Sequence, residues 1–319
     1  MHALGGSLER HELLDLGYTD TTIRRSLRDG LLVRIRFGTY AHGPTWRAAT
    51  PVERHRILAR AVLGKLGRHV YASHHTAAAL HGLDVWGVDL TEVQVGRLDQ
   101  RTDRLDAGVR FHRGRIEPED LVEIDGVLVA PAVRAALETA HASSIESGAV
   151  TVTSVMRHHG ATRDEVDAAL RSMMSWPGSI DASTATALAD PRLESVGEVR
   201  SMCFFRRHRI PMPEPQVEIR DRRGRFVARS DFGWRRWRHV GEFDGLAKYG
   251  RLNPHAADPG RVLVEEKQRE DAIRSLGHGV SRWTWQDLEP RHAPTLAARI
   301  LGDLERSKRL ARRVLDLGA

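Results

Sequence analysis

Acidic residues interrupt two short apolar runs in the C-terminal third of the chain. Asp231 stands eleven residues before Glu242-Phe243-Asp244-Gly245, and both runs predict β-strands that end close together. Glu242 and Asp244 are two residues apart, so on a strand their side chains point to the same face. Clustered carboxylates must be neutralised, and a divalent metal is the usual means. The pattern is typical of metal-assisted phosphodiester hydrolysis.

The composition is that of a folded protein with a polyanionic partner. The 319 residues are 41% hydrophobic and 29% charged, with a net charge of +7 and one cysteine, Cys203. No segment approaches the ~18 apolar residues of a membrane span, and no secretory signal is visible at Met1. We therefore expect a cytoplasmic protein without a membrane partner, without an intrachain disulfide and without a cysteine-based zinc site.

The positive charge is concentrated in two segments. Residues 24–36 contain five arginines and one acid, and residues 200–238 contain twelve arginines and four acids. Arginine suits phosphate because its planar fork donates two parallel hydrogen bonds. Codon bias and a solvated surface would give the same composition, but both segments flank candidate nucleic-acid sites.

The N-terminal segment has the order helix, turn, helix and two short strands. Ser7 is the expected cap of a first helix, Thr19 or Asp20 that of a second over 21–29, and strands follow at 31–35 and 38–41. This layout predicts a winged helix whose second helix enters a major groove of double-stranded DNA. The expected DNA contacts are Thr21, Thr22, Arg24, Arg25, Arg28, Arg34 and Arg36. A winged helix that docks a protein is the alternative.

The middle segment predicts a small α+β unit. Residues 44–49 are expected to be a linker, and Thr50-Pro51-Val52-Glu53 opens a helix that ends near Gly67. Strands are expected at 69–72, 92–97, 109–112, 121–124 and 127–130, and helices at 74–81, 131–142 and 162–174. His74 and His81 share a helix face but are too far apart for one metal ion. Structural or capping roles are therefore expected for the histidines of this segment.

Two stretches of residues 1–175 resemble a known family. After the winged-helix pattern come Ser73-His74-His75-Thr76-Ala77-Ala78-Ala79-Leu80-His81-Gly82 and Val122-Glu123-Ile124-Asp125-Gly126. This order resembles the AbiEi-type antitoxins of prokaryotic type IV toxin–antitoxin systems. The resemblance implies a DNA-binding transcriptional regulator of its own operon, with a cognate toxin as a further partner.

The last third predicts the order α-β-β-β-α-β. Glu194 and Glu198 are expected on one helix face, strands at 216–220, 226–231, 238–243 and 280–285, and a second helix at 264–276. Over residues 190–290 this order, with Glu198, Asp231 and Glu242-Phe243-Asp244, resembles the PD-(D/E)XK nuclease superfamily, in particular its very-short-patch-repair-like domains.

The nuclease resemblance implies a role for each acidic residue. Asp231 and Glu242 would hold a Mg²⁺ ion together with the carbonyl of Phe243, and Glu198 would reach in from its helix. Asp244 stands where the superfamily has a catalytic lysine, and Lys248 is the candidate to replace it. The catalytic set implied is Glu198, Asp231, Glu242, Asp244 and Lys248, with Mg²⁺ required only if the site is active.

The sequence thus predicts an α+β protein of three domains. These are a winged helix over 1–48, an antitoxin-like α+β domain over 49–185, and a restriction-endonuclease-like α/β/α domain over 186–319. The function expected is that of a DNA-binding, antitoxin-like transcriptional regulator. A Mg²⁺-dependent DNA endonuclease and a toxin-neutralising interaction module are the two alternatives.

Overall fold

The computed structural model describes residues 6–99, 103–114, 116–245 and 259–316 of the chain, except for the side chains of 259–266 and 312–316. The chain is a mixed α+β protein, and its described residues form three separate sheets. It divides into two compact units, Met1–Ala187 and Leu188–Ala319. No helix among the described residues is both long enough and apolar enough to cross a membrane.

The first unit begins with a three-stranded antiparallel sheet and two helices. The elements are β1 (Ser7–Glu9), α1 (Arg10–Asp15), α2 (Asp20–Arg28), β2 (Leu32–Arg36) and β3 (Thr39–His42). The strand order is β1-β3-β2. Their common core consists of Leu8, Leu13, Ile23, Leu32 and Tyr40, with Leu27 packed against it.

The expected cap of the first helix at Ser7 is wrong. Ser7 lies in β1 opposite Ala41, and α1 begins three residues later behind a capping box formed by Glu9 and Glu12. Leu8 is 3% exposed because the strand turns it into the core opposite Tyr40. Pairing with β3 gives the backbone N–H and C=O groups of β1 their hydrogen-bond partners, so these residues do not need a helix to satisfy them.

Helix α2 begins as the sequence predicts. Thr19 is its N-cap and exchanges hydrogen bonds with Thr22 in a capping box. Ile23 is 3% exposed, and Leu27 four residues later packs beside it. This spacing buries one stripe of the helix and leaves the remaining faces outside.

Residues 44–49 are not a linker, because α3 (Gly43–Ala48) spans most of them. Its entry is tight: a Cβ on Gly43 would lie 2.0 Å from the carbonyl oxygen of Gly30. Helix α4 (Pro51–Leu66) follows, and the predicted Thr50–Glu53 capping box is present. The capping residues therefore predicted the start of α4 correctly. No local sequence signal indicates α3, because its helical conformation depends on packing.

A six-stranded mixed sheet forms the centre of the first unit. Its strands are β4 (Val70–Ala72), β5 (Val93–Arg97), β6 (Arg104–Asp106), β7 (Val109–Arg113), β8 (Val122–Ile124) and β9 (Val127–Val129). Their order is β6-β7-β5-β4-β9-β8. The helices are α5 (His74–Leu80), α6 (Ala132–Ala142), α7 (Ile145–His158), α8 (Arg163–Ser172) and α9 (Ser179–Leu188).

Strand β6 and helices α7 and α9 were not predicted. Helix α7 is rich in valine and threonine, which have low intrinsic helix propensity. It forms because ten consecutive residues, 147–156, are buried. Gly148 permits close packing on α6, since a Cβ there would lie 2.8 Å from Ala140.

The second unit has the predicted element order. Helix α10 (Val196–Arg207) precedes strands β10 (Glu214–Arg220), β11 (Phe226–Trp234) and β12 (His239–Asp244), followed by α11 (Pro259–Ser275), β13 (Gly279–Thr284) and α12 (Ala293–Asp316). The sheet order is β10-β11-β12-β13. The first three strands are antiparallel, and β13 runs parallel to β12.

Aromatic side chains fill the core beneath this sheet. Phe205 of α10 contacts Phe232, Trp234 and Trp283, all edge to face at 5.3–5.5 Å between ring centroids. Trp234 and Trp283 are 2% and 1% exposed. Helix α10 is therefore fixed against the strands that carry the predicted carboxylates.

Candidate nucleic-acid interface and carboxylate cluster

Helix α2 directs its polar residues away from the N-terminal core. Thr21, Thr22, Arg24, Arg25 and Arg28 are all exposed. Arg25 makes only a 3.6 Å ion contact with Asp29. Within the described part of the chain, Arg24 and Arg28 have no acidic partner. Their guanidinium groups are therefore available to an external anion.

The N-terminus of α2 is fixed by its own side chains. The Thr22 hydroxyl donates to the Thr19 carbonyl at 2.8 Å and accepts the Thr19 N–H at 2.6 Å. Arg10 of α1 forms a bidentate pair with Asp20, with a shortest distance of 2.7 Å. Of the two threonines expected to contact DNA, Thr22 is thus engaged in capping, and Thr21 makes no such bond.

The turn between β2 and β3 extends the basic surface. Arg34 is exposed, Arg36 is half-buried, and Phe37 at the tip is 86% exposed. Arg36 and Phe37 also line a cavity of about 430 Å³ that includes Lys65 and Arg104. Lys65 lies 3.6 Å from Glu9 and Arg104 lies 3.7 Å from Asp106, so Arg34 and Arg36 supply the positive charge of this turn that no acid in the described residues pairs with.

In the second unit, three of the predicted carboxylates lie close together. Burial, and after it the nearby charges of Glu198 and Glu242, raise the pKa of Asp231 to about 6. The Phe243 N–H, which donates to Asp231 Oδ2 at 2.8 Å, and the Arg269 charge oppose this rise. Asp231 does not end its strand as expected, because β11 continues to Trp234.

Glu242 forms ion pairs with two arginines. It is 7% exposed, and Arg269 places Nη1 2.8 Å from Oε1 and Nη2 2.9 Å from Oε2. Arg282 places Nε 3.0 Å from Oε2, because the parallel pairing of β12 and β13 sets the two residues side by side. The Ser230 hydroxyl donates to Oε1 at 3.2 Å. Both oxygens of Glu242 are therefore already compensated.

Glu198 accepts three hydrogen bonds. The donors are the Glu194 N–H at 2.9 Å, the Ser195 hydroxyl at 2.8 Å and the Gln216 amide at 2.9 Å. The expectation that Glu194 and Glu198 share a helix face is wrong. Ser195 caps α10, so Glu194 precedes the helix and pairs with Arg229 instead.

A glycine allows α10 to approach the carboxylate strand. A Cβ on Gly197 would lie 1.9 Å from the Phe243 ring, which explains a glycine in this helix. Asp244 is the exposed last residue of β12. Lys248, the expected substitute for a catalytic lysine, lies outside the described residues.

The arrangement differs from a divalent-metal site. In the described part of the chain, no three His, Cys, Asp or Glu side chains are spaced to hold a metal ion. Guanidinium groups neutralise Glu242, and hydrogen bonds occupy Glu198. The residues as placed do not fit Mg²⁺. The expected ligands, Asp231 and Glu242, are neighbours within an arginine-neutralised cluster.

Sequence reasoning missed Arg282, Ser230 and Gln216 at this cluster. It also missed the contact of Arg269, which reaches Glu242 from α11. The alternation of Ser281, Arg282 and Trp283 signals only which face of β13 each occupies. The β12–β13 register decides that Arg282 reaches Glu242.

No protein-family model matches this chain. No curated protein matches it either.

Proposed function

We propose that this protein is a DNA-binding regulator that contacts duplex DNA through α2 and the β2–β3 turn. In this proposal the N-terminal elements are a winged helix, and the regulatory role follows the AbiEi-type resemblance. The second unit is proposed to be a restriction-endonuclease-like domain that adds affinity for nucleic acid.

The exposed basic face of α2 carries the proposal. Arg24 and Arg28 project from a helix whose opposite side is fixed in a core by Ile23. Arg24 and Arg28 are four residues apart, so they lie on neighbouring positions of one face. A rigid helix with unpaired arginines on one face is suited to a major groove and its phosphates.

A salt series tests this role. Binding of the full chain to the duplex upstream of its own coding region is measured by fluorescence anisotropy between 50 and 300 mM salt, choices that span the range in which phosphate contacts weaken. The slope of log K against log salt is negative and grows steeper with each phosphate contact. If both arginines contact phosphates, the double variant Arg24→Ala with Arg28→Ala makes the slope less negative by about 2. Arg171→Ala, which removes an exposed arginine from α8, leaves the slope unchanged.

Two outcomes contradict the proposal. One is a shallow slope for the wild type, and the other is an equal slope in the double variant. A protein without salt-dependent DNA binding would instead support the toxin-neutralising interaction module.

Metal-dependent cleavage by the second unit is a second candidate function. It rests on the nuclease resemblance and on the closeness of Glu198 and Glu242 to Asp231, whose pKa is raised by burial first and by those two charges second. Glu242 would have to leave its arginine partners before it could hold a metal ion. Plasmid DNA is incubated with the protein in Mg²⁺ or Mn²⁺, with Asp231→Ala and Glu242→Ala as controls. Nicking that both variants abolish supports an endonuclease. No nicking, or nicking that both variants retain, refutes it.

A further inference from the structure

A histidine-lined cavity lies in the first unit, away from α2. Its volume is about 260 Å³, and its walls come from the β4–α5 junction, β7, α6 and the segment that precedes α9. His74, His112 and His141 line it together with Arg134, Glu138 and Trp176. None of the residues proposed to contact DNA lines this cavity.

Two of the imidazoles form a flat wall. His74 and His112 stack with ring centroids 3.9 Å apart and planes 26° apart. His112 Nε2 lies 2.6 Å from Gln94 Oε1. Because an amide oxygen only accepts, His112 Nε2 carries the hydrogen and Nδ1 presents a lone pair. Burial lowers the pKa of His74 to about 3 and that of His112 to about 4, so both rings are neutral near pH 7.

His141 contributes an acceptor without a donor. Its Nδ1–H donates to the Pro177 carbonyl at 3.0 Å, which leaves Nε2 with the lone pair in the neutral ring. His141 is 9% exposed, and its Nε2 has no hydrogen-bond partner among the described residues. A buried acceptor without a donor is destabilising, and a ligand with an N–H group would relieve it once a turn of the ring brings this nitrogen, which exposes less than 1 Å², to the cavity surface.

The backbone at the wall is held in an unfavourable conformation. His74 has a φ of +49°, in the left-handed region that residues other than glycine adopt only in a few per cent of cases. Its N–H donates to Glu138 Oε2 at 3.0 Å, and Arg134 Nε donates to Glu138 Oε1 at 2.9 Å. Glu138 is 2% exposed. Strain held by buried polar groups is concentrated at functional sites in proteins.

The cavity therefore combines flat surfaces, accepting nitrogens and a cation. Arg134 lies over the Trp176 ring at 5.4 Å, and His141 lies 5.8 Å from the same ring. Small-molecule sites usually start at about 300 Å³, so this cavity suits a compact ligand without phosphates. An amino-bearing heteroaromatic ring offers planar stacking, N–H donors for the histidines and a ring acceptor for arginine.

We propose that this cavity binds a free amino-bearing nucleobase or its nucleoside, with His112 and His141 accepting hydrogen bonds from the base. The site is independent of the proposed DNA interface. If the cavity binds no base, the proposal that α2 binds DNA is unaffected.

Calorimetric titration of the full chain tests the site with adenine, cytosine, cytidine and inorganic phosphate. At least one amino-bearing base is expected to bind with a Kd below about 1 mM, the range of a compact ligand. His112→Phe and His141→Phe keep a flat ring but lose the accepting nitrogen, so each weakens binding about tenfold. His158→Gln, which alters an exposed histidine of α7, is the control.

A second readout needs no variant. The ¹⁵N resonance of His141 Nε2 is expected to shift in the wild-type protein when the base saturates, because its lone pair acquires a donor. Absence of binding by every base and nucleoside at about 5 mM, well above the Kd expected of a compact ligand, overturns the proposal. So does binding of phosphate alone, or an unshifted His141 resonance in a saturated complex.

Discussion

Replacing Gly197 with alanine tests how α10 is positioned against the carboxylate strand. The new Cβ would meet three atoms of the Phe243 ring at 1.9, 2.3 and 2.4 Å. Ordinary contacts begin near 3.4 Å, so the ring or the helix must move by about 1–1.5 Å. The ring has little room, because Trp285 lies edge to face against it at 5.1 Å.

Two effects of opposite sign set the magnitude. Alanine favours a helix over glycine by at most about 1 kcal/mol, and by less in the first turn. Overpacking a filled site costs about 1–3 kcal/mol. We therefore expect Gly197→Ala to lower the free energy of unfolding of the second unit by about 1–2 kcal/mol. Gly64→Ala in α4 meets no atom within 4 Å and should stabilise the first unit by about 0.5–1 kcal/mol.

Hydrogen exchange measures these changes in the full chain. Exchange of amides in β11 and β12 reports the stability of the second unit separately, which matters because two units need not unfold together. In a Phe243→Ala background, the Gly197→Ala cost should disappear, giving a coupling energy of at least about 1 kcal/mol. An unchanged or higher stability of Gly197→Ala, or an equal cost without the ring, would refute the reasoning.

Three further predictions concern charge, pH and capping. Arg269→Ala leaves Glu242 without its bidentate partner and should destabilise the second unit by about 1–3 kcal/mol. The loss is smaller than for a fully buried pair because Arg269 is 36% exposed. Urea unfolding in EDTA measures this change, and a loss below about 0.5 kcal/mol would contradict the prediction. Burial lowers the pKa of His239 from 6.5 to about 4, so the unfolded chain binds the proton first and stability falls as pH drops from 6.5 towards 4. Hydrogen exchange in β12 at pH 7 and pH 4.5 should show a loss of about 2 kcal/mol that is smaller in His239→Gln; an equal loss in both would contradict the assignment. Thr50→Ala removes one side of the α4 capping box and should cost about 1 kcal/mol, measured by exchange in the first turn of that helix, and an unaltered rate there would be inconsistent with the cap.

Local chemistry predicted several elements well. Thr19 and Thr50 are followed three residues later by side chains that complete a capping box, so both helix starts could be placed from sequence. Asp221-Arg222-Arg223-Gly224, between the predicted strands 216–220 and 226–231, forms a turn that suits its residues, with Gly224 at a φ of +79°. These signals depend only on neighbours in the chain, and tertiary structure did not override them.

Other elements depend on distant partners. Ser7 looks like a helix cap, but pairing of β1 with β3 makes it part of a strand. Helix α7 has the composition of a strand and is helical because burial stabilises it on all sides. The periodicity of apolar residues does not show whether a segment is buried against another element, because a short apolar run suits both a strand and a helix.

The sequence by itself determined the carboxylates, the arginines of α2 and the order of elements that brings Asp231 near Glu242. Only the tertiary structure decided what those carboxylates contact. The parallel register of β13 sets Arg282 beside Glu242, and α11 adds Arg269. Ion pairs across strands depend on register and helix placement, which are set by the whole core. The same chain could therefore be predicted to carry an acidic cluster, but not one neutralised by its own arginines.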